Sequence, residues 1–146
     1  MNFQFIPSDV DAYIRQIYGN RRLLIEPQTY TAEFGALAAN EVATRTIQIS
    51  QQADFFAFGV SMSGDVEFST SYNLISMMLT DAGSGRPFTA REILAANYAP
   101  VGWNWSFPFP RYLGGNTAVS VQLRAPNDTP IIHGVSLLGV QVRELI

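Results

Sequence analysis

The stretch AVSVQLRAPNDTPIIHGVSLLGVQV, Ala118–Val142, decides the fold class. In its first part Val119, Val121 and Leu123 fall on every second position, the period of a half-buried β-strand. Ala125-Pro126-Asn127-Asp128 then provides the proline and Asx residues that turn a chain. A second apolar run follows, but its alternation changes parity: Val135 and Leu137 share one face, whereas Leu138, Val140 and Val142 share the other. Strand, turn and strand, with no 3.6-residue period anywhere in the stretch, predict antiparallel pairing.

The same period extends backwards. Leu23-Leu24-Ile25 reads as a strand ended by Pro27, and Ile47 and Ile49 share a face. Phe56, Phe58, Val60 and Met62 line another face before a turn at Ser63-Gly64-Asp65. Phe68, Tyr72 and Leu74 alternate on one parity, and Ile75, Met77 and Leu79 on the other, which predicts a bulge near Leu74-Ile75. Thr29–Ala43 and Asp81–Ala99 carry no clear period and read as long connections, the second with a short helix at Ala90–Ala96. Many short strands separated by Gly, Pro and Asn turns predict an antiparallel sandwich or barrel.

One helix precedes the strands. Ser8 is its candidate cap, Asp9 and Asp11 lie in the first turn, and Val10, Tyr13, Ile14, Ile17 and Tyr18 form an apolar stripe before Gly19 closes it. So short a helix needs a docking surface, either its own domain or a neighbouring chain. Residues 1–20 are thus expected to be an N-terminal arm and residues 21–146 a single β domain.

Only 14% of the 146 residues are charged, against about 25% in an ordinary domain. All nine cations are arginine, the planar, weakly hydrated cation suited to stacking and bidentate contacts. A net charge of −3 lacks the basic footprint that phosphate neutralisation demands, so no direct nucleic-acid partner is expected. There is no cysteine, hence no disulfide framework and no thiolate chemistry. No stretch approaches about 18 consecutive apolar residues, and a soluble chain without a membrane partner is expected.

The second unusual stretch is WNWSFPFPRYLGG, Trp103–Gly115. In an extended chain Trp103, Trp105, Phe107 and Phe109 would form a ladder of four rings on one face. Pro108 and Pro110 cannot donate to a sheet ladder and place the run at an edge. Four uncovered rings exceed what a monomer usually exposes, so the core, a partner subunit or stacked sugar rings must cover them. Arg111, beside the prolines, could pair with a carboxylate across an interface.

Catalytic chemistry is hard to assemble from this chain. His133 is the only histidine and lies in a strand pattern, more in keeping with a structural role than with a general base. Asp9 and Asp11 resemble the start of a calcium loop, but the central glycine and closing glutamate are missing. Gly83-Ser84-Gly85-Arg86 lacks the lysine of a phosphate loop and reads as a hairpin tip. The expectation is a protein that is not an enzyme and has no catalytic, cofactor-binding or metal site.

The order of elements in the second half, Asn73–Val142, supports a resemblance. NLISMMLTDAGSGRPFTAREIL ends a strand in a D-x-G-x-G-R turn, and FPFPRYLGGNTAVSVQLRAPNDTPIIHGVSLLGVQV follows with a Pro-aromatic run, a Gly turn, a V-x-V-x-L strand and a closing strand bearing His-Gly-Val. This resembles the small auxiliary (cement or decoration) virion proteins of tailed bacteriophages. The resemblance implies a mainly β, antiparallel jelly-roll-like β-sandwich with a short N-terminal helix, acting on the exterior of the virion capsid. It would bridge major capsid protein subunits and self-associate as a homodimer or homotrimer. The helix stripe, the aromatic ladder and Arg111 are the candidate interface residues. A tail, collar or receptor-binding virion component and a carbohydrate-binding β-sandwich module are the alternatives.

Overall fold

In the computed structural model, residues 8–64, 75–88, 93–94, 105–126 and 131–145 are described. The first described element is helix α1, Ser8–Tyr18. It ends at Gly19, whose φ of 65° lies in the left-handed region open to glycine, and whose N–H donates to Arg15 O at 2.8 Å.

Among the described residues ten strands follow: β1 (Leu23–Ala32), β2 (Gly35–Ala36), β3 (Val42–Gln48), β4 (Asp54–Gly64), β5 (Ser76–Asp81), β6 (Arg86–Pro87), β7 (Ile93–Leu94), β8 (Trp105–Leu113), β9 (Ala118–Arg124) and β10 (Ile131–Glu144). They form two five-stranded sheets, and the pairings are antiparallel. One has the order β1-β10-β4-β8, with β2 also on β10; the other has the order β3-β9-β5-β6, with β7 also on β5. The protein is therefore mainly β, with two antiparallel sheets and one short helix.

The inward faces of both sheets feed one core. Ala57, Val60, Val135 and Leu137 from the first sheet join Ile47, Met77, Leu79, Val119, Val121 and Leu123 from the second. The alternations of Ile47/Ile49, Ile75/Met77/Leu79 and Val119/Val121/Leu123 all face this core. A second cluster lies on the outward face of the first sheet, where Val10, Ile14 and Tyr18 of α1 cover Ile25, Phe56, Val140 and Val142. One end of that sheet is consequently buried on both sides.

That double burial accounts for the parity change in β10. From Val135 onward its alternation is unbroken, with Val135 and Leu137 pointing into the main core and Val140 and Val142 under the helix. Upstream, a register shift between Ile132 and Gly134 leaves His133 as an extra residue and puts Ile132 into the main core as well. In β4 the expectation of one face for Phe56, Phe58, Val60 and Met62 does not hold. A register shift between Leu138/Gly59 and Gly139/Ala57 leaves Phe58 as an extra residue. Phe56 and Phe58 accordingly belong with the helix cluster, and Val60 and Met62 with the main core.

Three further expectations are corrected. β1 does not stop at Pro27 but runs to Ala32, with Pro27 opposite Val140; proline is tolerated because this is an edge strand, where a missing N–H costs no ladder bond. Thr29–Ala43 is not structureless, for it holds the end of β1, all of β2 and the start of β3. Ile93 and Leu94, expected in a helix, form β7 against Met77 and Ser76. The proposed bulge at Leu74-Ile75 involves Leu74, which lies outside the described residues.

Candidate functional site

Polar chemistry gathers where α1 ends on the first sheet. Asp54 opens β4 opposite Val142, on the side of the sheet that carries the helix. Its Oδ2 accepts a hydrogen bond from the Tyr18 hydroxyl, and its Oδ1 accepts the Gly115 N–H at 2.8 Å. Tyr112 of β8 stands opposite Phe56 with ring centroids 5.2 Å apart, and Tyr13 meets the same ring edge-on at 5.7 Å. Burial, then the hydrogen bond to and charge of Asp54, push the Tyr18 hydroxyl far above the ordinary phenol value. Tyr112 shifts the same way, from burial first and the Asp54 carboxylate next.

Phenols held protonated are poor bases and poor nucleophiles at neutral pH, and the carboxylate that holds them is already engaged by an amide and a hydroxyl. The arrangement suits a latch. It joins the last residue of the helix, the first of β4 and the β8–β9 turn, 36 and 61 residues apart in sequence. Asp81 has a similar local role in the next turn: its Oδ1 accepts the Gly83 N–H at 2.9 Å and its Oδ2 the Ser84 hydroxyl at 3.0 Å, making DAGSGR a hairpin tip.

Two arginines stack on aromatic rings at outer strands of the two sheets. At the side where β1 and β3 are the outer strands, Arg45 lies 5.2 Å over the Phe34 ring, and its Nε donates to Glu33 O at 3.2 Å. At the opposite side, Arg111 of β8 lies 4.8 Å over the Phe88 ring, and its Nη2 donates to Phe88 O at 2.7 Å. Each guanidinium spans from one sheet to a segment beside the other and meets both an aromatic face and a carbonyl, a combination a planar cation can satisfy.

The residues expected at an interface separate accordingly. Val10, Ile14 and Tyr18 are buried on this chain's own sheet, so this part of the stripe is core rather than a face for a neighbour. Tyr13 is half-buried against Phe56, and Ile17 alone of the stripe is exposed. Arg111 lies over the Phe88 ring and donates to Phe88 O within its own chain. Trp103 and the side chains of Trp105, Phe107 and Phe109 lie outside the described residues. In the backbone register of β8, Ser106 pairs with Gly59 and Arg111 with Ala57, so four residues, Phe107–Pro110, stand against Phe58 alone.

Asp54, Tyr112, Arg45 and Phe34 were not singled out by the sequence. A carboxylate immediately before the apolar DFFAF run was the one signal for Asp54, and nothing local pairs it with Tyr18. Among the described residues no group of three or more His, Cys, Asp or Glu could hold a metal ion, and no helix is long and apolar enough to cross a membrane. Comparison of the chain with models of known families, with curated proteins and with solved structures finds no match.

Proposed function

We propose that this chain is a structural virion protein, a capsid cement or decoration protein that self-associates and bridges capsid subunits on the shell exterior, built as a jelly roll. The strand order carries the reading. With β6 and β7 taken as one interrupted strand and β2 as an extension beside β10, eight strands remain, β1-β10-β4-β8 against β3-β9-β5-β6. From β3 to β5 each successive strand crosses to the other sheet, and from β8 to β10 the chain does so again. Two such Greek keys wound around one core define the jelly roll, an architecture used by capsid proteins and by lectins.

Within that architecture, the resemblance of Asn73–Val142 to tailed-phage auxiliary proteins favours the virion. The polar groups point the same way: Asp54, Asp81, Arg45 and Arg111 are all engaged in holding strands, turns and the helix in place. A rigid block of this kind strengthens a thin shell by linking subunits, because several modest contacts made at once act through high effective concentration.

The test is co-sedimentation of the purified chain with capsids from its source, followed by particle reconstruction. The expected result is saturable binding and ordered density on the outer surface spanning adjacent capsid subunits. A chain that remains in the supernatant, or whose density lies at the tail or collar, overturns the cement role.

A further inference from the structure

The assembly role above requires self-association, and the fold constrains how it can occur. Most sheet edges are closed to strand addition. β1 contains Pro27, β6 contains Pro87 and β8 contains Pro108 and Pro110, each a position without an N–H for a new ladder; β7 has only two residues. β3 has no proline. There Arg45 alternates with buried Ala43 and Ile47, folds over Phe34, and donates Nη1–H to Thr44 O at 3.0 Å, a carbonyl of its own strand. Arg45 is itself exposed, and a charged side chain lying along an edge strand is a device against edge pairing.

The outward face of the second sheet has the opposite character. Two rows cross its three long strands in register, Thr44–Gln122–Met78 and Thr46–Ser120–Thr80. Of the eleven outward residues on β3, β9 and β5, only Arg124, at a corner, is ionic. Hydroxyls and amides both donate and accept, so such a face is complementary to itself, and it lets two chains of net charge −3 meet with little like-charge repulsion. We propose, building on the assembly reading, that two copies of this chain associate face to face through the outward surface of β3-β9-β5 and not through strand edges. Eleven residues are about half of the 20–30 per side in a standard interface, so the dimer is reversible and gains strength from multivalent display on a shell.

The chain has no cysteine, so single substitutions report proximity cleanly. Ser120→Cys, treated with a bismaleimide matched to the ~10 Å spacing of packed sheets, should give a covalent dimer, whereas Ser61→Cys, on the outward face of the other sheet, should not. In sedimentation, Ser120→Arg should weaken association at least about tenfold while keeping the wild-type circular dichroism and Tm. Equal or greater cross-linking at Ser61, or unchanged association of Ser120→Arg, overturns the face assignment and leaves self-association standing. A wild-type chain that stays monomeric at all concentrations overturns this inference, and capsid co-sedimentation of that monomer then judges the assembly reading separately.

Discussion

Gly139 lies on the inward row of β10 between Leu137 and Gln141, where the Phe55 ring fills the space a side chain would take. A methyl group there would overlap Phe56 O and come within 2.7 Å of the Phe55 ring. The backbone oxygen cannot yield, so Gly139→Ala should cost about 3 kcal/mol, the upper end of ordinary overpacking, read as a lower urea midpoint. Asp54 makes a second residue-scale prediction. Tyr18→Phe deletes a hydrogen bond to a carboxylate and should cost about 1.5–3 kcal/mol. The pH dependence follows from the raised phenols. Unfolded tyrosine titrates near pH 10, and the folded chain holds the Tyr18 and Tyr112 protons above that. Their contribution is whole below about pH 10 and declines as pH rises further; Tyr18→Phe should flatten this alkaline decline in equilibrium unfolding.

Among the elements, α1 shows what docking does for a short amphipathic segment. Its eleven residues would be marginal alone, yet Val10, Ile14 and Tyr18, spaced by four, bury one stripe on Phe56, Val140 and Val142. Ile14 is fully buried, and Ile14→Ala should cost about 3 kcal/mol and loosen the helix, seen as faster amide exchange across Ser8–Tyr18 than across β9. The helix and its closing glycine were legible because acidic first-turn residues and Gly19 act locally. The face change in β4 was not, because Phe56, Phe58, Val60 and Met62 keep a perfect two-residue period. The bulge that reverses it is set by the register with β10. Pro27 misled for a related reason, since whether proline ends a strand depends on whether that strand is an edge.

For the whole molecule, the two guanidinium contacts matter more than their number suggests. Arg45 on Phe34 ties β3 of one sheet to the segment after β1 of the other, and Arg111 on Phe88 ties β8 to the segment after β6. Arg111→Lys keeps the charge but removes the planar contact and the fixed fork, so a loss of about 1–2 kcal/mol is expected. Thermal unfolding checks it, and an unchanged Tm would show that charge alone suffices. The all-arginine composition, read as a sign of interfaces, is partly consumed inside the chain. The register of the aromatic run is likewise a tertiary matter: β8 passes four residues between its pairings with Gly59 and Ala57 while β4 advances by one extra residue.

The sequence by itself determined what depends on neighbours along the chain: the helix and its closing glycine, the two-residue period of the strands, the DAGSGR and Gly-rich turns, and hence a mainly β antiparallel protein. Which faces those strands bury, which strands stand at edges, and the meeting of Asp54 with Tyr18 and Gly115 or of Arg111 with Phe88 were decided only by tertiary structure. These are pairings across 23 to 61 residues, for which no local propensity exists. Parity tells that a strand has a buried side, but only the packing of the second sheet and the helix says which side it is.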